Sequence, residues 1–190
     1  MRLVRRFCLM MLAALLVFPA PLPAKEAHIP KTGDPAWDAF IDLQKKWTRQ
    51  LHELVLEKKP EFKEIADLSY RWRLEDMRLE TMKFNYLRKH QPETIQRDKG
   101  LPGFVKLSWF PDQAEKLRKA STEFEQQEKT VSVLKHQVES HPQWQALQDY
   151  LKALQKSPEQ KQRFDRFLAD MKQVQKILAQ TAAEEMRRKQ

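Results

Sequence analysis

The chain has 190 residues, and 35 Lys and Arg against 26 Asp and Glu give it a formal net charge of +9. A single cysteine excludes an intramolecular disulfide framework and a multi-cysteine zinc or iron–sulfur site. Three glycines are too few for the turns of a many-stranded sheet or for a glycine-rich phosphate loop. The length suits one domain with a substantial hydrophobic core.

The first 24 residues have the three-part pattern of a secretory signal peptide. Arg2, Arg5 and Arg6 form a positive start, an apolar run covers 7–18, and a proline-rich stretch ends at Ala24. The run is shorter than the roughly 20 apolar residues that cross a bilayer. We therefore expect export and cleavage after Ala24, with an uncleaved membrane anchor as the alternative.

Cleavage would remove three arginines and the cysteine, so the net charge of the mature chain would fall from +9 to +6. A chain without cysteine suits an oxidising compartment. The expected location is the periplasm of a Gram-negative bacterium, and otherwise secretion. The mature form is not expected to span a membrane, because no later stretch is apolar for 18 residues. Residues 25–33 are expected to form a flexible leader, and 34–190 a single helical-bundle domain.

Prolines that follow capping residues mark the starts of the first helices. Asp34 before Pro35 is typical of a helix start, and apolar residues then recur at spacings of three and four over 35–58. Pro60 opens a second expected helix, which runs to about residue 89.

Three further helices are expected in the second half of the chain. One runs from Pro111 to about residue 140, and another begins at Pro142. The sequence Ser157-Pro158-Glu159-Gln160 has the pattern of a capping box and starts the last helix, which frays near Met186. The apolar positions of this last helix are Phe164, Phe167, Leu168, Met171, Val174 and Leu178. Five amphipathic helices with short connections predict an all-α bundle.

The second helix carries apolar residues on two opposite faces. One face holds Ile65, Leu68, Trp72, Leu79, Met82 and Tyr86. The other holds Tyr70, Leu74, Met77 and Phe84. A helix with two apolar faces packs against neighbours on both sides, so this long helix is predicted to lie at the centre of the bundle. The alternative is that one face is exposed for a partner.

The segment 91–112 is the longest break between predicted helices. It contains Gly100 and Gly103 together with four large apolar residues, Phe104, Leu107, Trp109 and Phe110. The part from 104 to 110 is expected to be a loop or a short helix that folds back and plugs one end of the bundle. The alternative is an exposed loop that binds a partner or ligand, because loops carry functional residues more often than their length suggests.

No catalytic pattern is found in the sequence. It lacks the HExxH motif of zinc proteases and the G-x-S-x-G turn of serine hydrolases. Carboxylates such as Glu75, Asp76 and Glu80 lie among basic residues at helical spacings, where ion pairing explains them. We therefore expect no enzymatic activity, no cofactor and no metal.

The positive charge is spread along the chain, and half of the net charge of +6 expected for the mature form lies in the last helix. Residues 157–190 hold eight basic and five acidic side chains and end with Arg187, Arg188 and Lys189. A solvated helix face explains such charge most simply. No nucleic-acid-binding module is recognised, so nucleic acid is not an expected partner. Attraction to anionic envelope surfaces is the more natural consequence.

These observations predict an exported, non-enzymatic helical bundle that acts by binding another envelope protein or the envelope surface. The alternative is a peripheral membrane-surface or assembly protein that binds anionic envelope components through its basic C-terminal helix. The candidate partner-binding residues are Phe104, Leu107, Trp109, Phe110, Arg187, Arg188 and Lys189.

Overall fold

The computed structural model describes residues 28–188, apart from the side chains of Gln155, Glu159 and Arg188. Over this range the chain is all-α and has no β-strand, as predicted. The expected signal peptide, 1–24, lies outside the described residues. No helix between residues 28 and 188 is long and apolar enough to cross a membrane.

The described part contains seven α-helices in one bundle. They are α1 (Pro35–Lys58), α2 (Lys63–His90), α3 (Gly100–Val105), α4 (Pro111–Ala120), α5 (Thr122–Glu139), α6 (Trp144–Gln155) and α7 (Pro158–Arg188). Short 3-10 turns at Pro60–Phe62, Pro92–Thr94 and Arg97–Lys99 lie between them. Two of these helices were not expected. One is α3, inside the segment 91–112, and the other is α5, which arises because the predicted third helix is interrupted at Ser121.

The interruption at Ser121 divides the predicted third helix into α4 and α5. Ser121 is extended, with φ −148° and ψ 105°, and its hydroxyl oxygen accepts a hydrogen bond from the Phe124 N–H at 3.2 Å. A serine in this conformation is a favourable N-cap, which satisfies a backbone donor at the start of α5. The chain therefore begins a new helix at this point.

Residues 29–33, assigned to the expected flexible leader, are instead folded onto the start of α1. Ile29 is buried, and the Thr32 hydroxyl and N–H both donate to Asp38 Oδ1, at 2.9 and 2.8 Å. Asp34, two residues after Thr32, accepts hydrogen bonds from the Ala36 and Trp37 N–H groups. The leader is therefore part of the cap of α1 over these residues.

The long helix α2 lies at the centre of the bundle, as its two apolar faces predict. Leu74 and Phe84 belong to the largest core cluster, which α2 shares with α1, α3 and α7. Leu79 packs against Phe124 of α5, and Ile65 packs against residues of α1, α5 and α6. All ten apolar residues of the two faces are buried or half-buried, so neither face is left for a partner.

The centre of the largest cluster is the pair Trp37 and Phe84, whose rings stack with centroids 4.2 Å apart. The indole N–H of Trp37 donates to the Thr81 hydroxyl oxygen at 3.3 Å, and that hydroxyl donates to the Met77 carbonyl at 2.8 Å. Both of these buried polar groups are thus paired, as burial requires.

Candidate functional site

The segment 91–112 acts mainly as the plug that the sequence suggested. Phe104, in α3, is fully buried, and its ring meets those of Trp37 and Phe84 edge-on with centroids 5.9 Å away in both cases. Phe104 therefore cannot contact a partner while the bundle is folded, which corrects its place among the candidate binding residues. Its chemical role is packing.

The remaining apolar residues of the segment become more exposed along the chain. Leu107 is half-buried. Trp109 is half-buried against Tyr86 and Phe124, with ring centroids 5.7 and 5.9 Å away. Phe110 is 56% exposed. Of the four aromatic and apolar candidates, Phe110 is therefore the side chain most available to a partner.

The two glycines of this segment have a geometric role in placing the plug. Gly100 has φ +67°, in the region that disfavours residues with a Cβ. A Cβ at Gly103 would lie 2.5 Å from Lys99 Cβ, so only glycine lets α3 fold against the preceding turn. These glycines therefore position Phe104 in the core.

Arg97, in the segment 91–112, forms ion pairs with residues near both ends of the described chain, Asp34 and Glu185. Its side chain is 11% exposed and pairs with the Asp34 carboxylate, which is itself 4% exposed. Arg97 Nε also lies 3.3 Å from Glu185 Oε2, and the guanidinium stands over the Phe104 ring at 5.0 Å. The sequence shows Arg97 as an ordinary loop base, because its partners lie 63 and 88 positions away in the chain. This cluster, Arg97 with Asp34 and Glu185, holds the structure together and leaves no open site.

The basic end of the chain is described only in part. Arg187 is exposed and makes no ion pair with the residues that the structure describes. Arg188 continues the backbone of α7, but its side chain lies outside the description, as does Lys189.

A groove of about 440 Å³ lies between α1 and α7. Glu53 and Glu57 lie on its α1 side, and Arg163 and Arg166 on its α7 side. In the part of the chain described, no ion pair joins these acidic and basic side chains across the groove. The groove therefore has charged walls that remain open to a ligand.

Asp170 of α7 joins the two walls of the groove by hydrogen bonds to α1. Its Oδ2 accepts hydrogen bonds from Lys46 Nζ at 2.7 Å and from the Trp47 indole N–H at 3.2 Å. The Trp47 ring packs edge-on against Phe167 with centroids 5.4 Å apart. The hydrogen bond from Lys46 lowers the pKa of the Asp170 carboxyl, and this effect outweighs the opposite effect of burial.

Because the pKa of Asp170 is lower in the folded state, its contribution to stability is present above about pH 4 and lost as the pH falls below that value. Asp170→Asn is expected to lower the free energy of unfolding at pH 7 by less than about 1 kcal/mol, as for other half-exposed pairs. The difference from the wild type should shrink in acid. Urea unfolding at pH 7 and pH 3 measures it, and Asp165→Asn, at an exposed acid of α7, is the matched control. A difference that grows in acid would contradict the assignment.

The first half of α7 also exposes two apolar side chains, on a different face of the helix from the groove-lining residues. Phe164 is 58% and Leu168 is 43% exposed, whereas Val174 and Leu178 of the same helix are buried. The sequence grouped all four in one apolar stripe. The stripe is wider than the surface that α1 covers, so the residues at its edge remain in solvent.

A second feature, the pair of His52 and Asp67, joins α1 to α2. His52 Nε2 lies 2.7 Å from Asp67 Oδ1, and its ring stacks on Tyr70 with centroids 4.6 Å apart. Asp67 is also held by Lys63 one turn away. Between residues 28 and 188, no three His, Cys, Asp or Glu side chains form a group that could hold a metal ion. The expected absence of a metal and a cofactor stays a prediction.

Comparison with protein-family models, with curated proteins and with solved structures finds no match to the chain. A helical bundle supports many functions, so its shape assigns none. The exposed side chains of α7 and the groove between α1 and α7 are the surface features that bear on function.

Proposed function

We propose that the chain is an exported helical-bundle protein without catalytic activity, which acts by binding another component of the cell envelope. The observation that carries the proposal is the exposure of Phe164 and Leu168 on α7. Apolar side chains grouped on a surface and rimmed by charge are typical of interaction sites. The signal-peptide pattern of residues 1–24 supports the envelope as the location.

The groove between α1 and α7, on another face of α7, is a second surface that supports binding to a partner. Glu53, Arg163 and Arg166 of its walls make no ion pair among the described residues, whereas Glu57 pairs with Lys58. The Trp47 ring lines the groove with a half-buried apolar surface. Interfaces commonly combine such an apolar centre with a polar, solvated rim. In this part of the molecule a partner would find both.

The proposal is tested by photocrosslinking in the native cell. A photoreactive amino acid at position 168 is expected to give a discrete crosslinked product after export. The same residue at position 133, where Val133 is 48% exposed on α5, is the matched control and should give none. N-terminal sequencing of the exported chain should show that it begins at Lys25. Retention of the chain in the cytoplasm, or equal crosslinking from both positions, would count against the proposal.

A further inference from the structure

The exposed face of α7 combines apolar and basic side chains in one narrow arc. At 100° per residue, positions 161, 164, 168 and 172 fall within an arc of about 80°. These positions hold Lys161, Phe164, Leu168 and Lys172, and all four side chains are exposed. Met186 is 63% exposed and falls in the same arc about four turns beyond Lys172. We call this set of five residues the outer face of α7.

The basic residues of this helix have no partners within the described structure. Lys161, Lys172 and Lys176 make no ion pair there, whereas the lysines Lys31, Lys46 and Lys63 elsewhere in the chain are paired with aspartates. The acids of α7 do not compensate for them. Asp170 is paired with Lys46 and Glu185 with Arg97. Glu184 is exposed on another face of the helix, and Asp165 is an exposed acid near the outer face. The positive charge of the outer face is therefore directed at solvent.

The opposite side of α7 holds the helix in place. Phe167 packs on Trp47, Val174 and Leu178 are buried in the largest core cluster, and Lys46 binds Asp170. The outer face can thus meet a flat surface without unfolding of the bundle. A preformed face loses less conformational entropy on binding than a segment that folds as it binds.

We propose that the outer face of α7 binds an anionic phospholipid surface, an inference that rests on the proposed envelope-binding function. Phe164 and Leu168 enter the boundary between headgroups and acyl chains, and Lys161 and Lys172 contact the lipid phosphates. Lysines beside exposed apolar residues suit this role, because their long stems lie along the apolar region while the ammonium groups remain with the phosphates. The charge complementarity with anionic lipid distinguishes this surface from a neutral bilayer.

Binding is tested by sedimentation of the purified exported chain with vesicles. Vesicles of phosphatidylcholine with phosphatidylglycerol are expected to bind the chain at low salt, and vesicles of phosphatidylcholine alone are not. Binding should weaken as the salt rises toward about 0.5 M, where the screening length is only a few ångströms. No binding to the anionic vesicles at low salt would overturn the inference.

Two double variants assign the binding to the outer face. Lys161→Gln with Lys172→Gln is expected to weaken binding about 30-fold, since one lysine near an anionic surface changes the binding constant about fivefold. Phe164→Ser with Leu168→Ser should also weaken binding. The matched controls are Lys129→Gln and Val133→Ser, at exposed positions of α5, which should bind as the wild type does. Circular dichroism checks that each variant is folded, and equal binding by variants and controls would contradict the assignment.

A fluorescent label at position 168 reports on vesicle binding while all lysines and Phe164 are retained. The expected mature chain has no cysteine, so Leu168→Cys carries one environment-sensitive fluorophore and Val133→Cys is the control. Anionic vesicles should shift the emission of the label at 168 to the blue and leave the label at 133 unchanged. Equal shifts at both positions would mean that binding is not localised to α7 and would overturn the inference.

The lipid inference and the proposed function can fail separately. If position 168 crosslinks to a protein in cells and anionic vesicles do not bind, the partner is a protein, and the lipid inference is wrong while the proposed function stands. If the chain is not exported, the proposed function fails whatever the vesicles show.

Discussion

Phe104→Ala is expected to lower the free energy of unfolding by about 3–5 kcal/mol, the usual cost of removing a buried phenyl ring. Phe104 is fully buried between Trp37 and Phe84, so the substitution leaves a cavity beneath α3. For a domain of this size the midpoint of thermal unfolding should fall by on the order of 10 °C. Urea and thermal unfolding followed by circular dichroism measure both quantities.

Phe110→Ala is the matched control for this experiment. It removes the same ring six positions further on, where the side chain is 56% exposed, and should change the stability by less than about 0.5 kcal/mol. Similar losses in the two variants would mean that Phe110 is also part of the core. A Phe104→Ala variant as stable as the wild type would mean that the segment 91–112 is a loop that does not contribute to the core.

Arg97→Met is expected to lower the free energy of unfolding by about 3 kcal/mol, because it leaves the buried Asp34 carboxylate without its cation. The stem of methionine keeps much of the contact with the Phe104 ring, so the loss reports mainly on charge. Asp34 keeps its hydrogen bonds from Ala36 and Trp37, which sets the expected value at the lower end for buried pairs. Urea unfolding at neutral pH measures the change.

A double-mutant cycle separates this pair from general damage. Asp34→Ser keeps a capping oxygen at the start of α1 and removes the charge. In the Asp34→Ser background, Arg97→Met should cost clearly less than it does in the wild type, because no buried carboxylate is left unpaired. Glu185→Gln is a second control and should cost less than about 1 kcal/mol, since the Glu185 side chain is 46% exposed. Equal costs of Arg97→Met in both backgrounds would exclude the pairing as the cause.

Local chemistry made much of the fold predictable. Asp34 caps the start of α1 and Pro158 begins α7, because capping and proline act within one turn of a helix. The capping box predicted at Ser157 and Gln160 is not formed, since Ser157 Oγ and Gln160 Nε2 make no hydrogen bond among the described residues. The two apolar faces of α2 predicted its central position for a similar reason, since periodicity reports directly on which sides are covered.

The break at Ser121 was missed because two local signals compete there. The apolar spacing continues from Leu117 to Phe124, which favours one helix, whereas the Ser121 hydroxyl favours a new N-cap. In the structure a new helix begins after Ser121, and Phe124 at its start packs in the core beside Leu79. Sequence spacing alone does not contain that contact.

The candidate site was harder to predict than the fold. The groove exists because α1 and α7 pair, and their contact at Lys46 and Asp170 joins positions that are 124 residues apart. No local pattern specifies which helix covers which stripe. The sequence therefore placed Phe164 and Leu168 with the core residues of α7, and it selected Phe104, which proved to be buried.

The distance along the chain between α1 and α7 also sets an order for folding. Synthesis proceeds from the N-terminus, so α1 is made long before α7. The side of α1 that α7 covers, with Phe40, Leu43 and Trp47, is therefore exposed until Phe167 and Val174 have been synthesised. At synthesis rates of about 5–20 residues per second, this side waits on the order of ten seconds for its cover. During that interval the nascent chain carries an uncovered aromatic surface, which is the kind of surface that holding chaperones bind and that promotes aggregation.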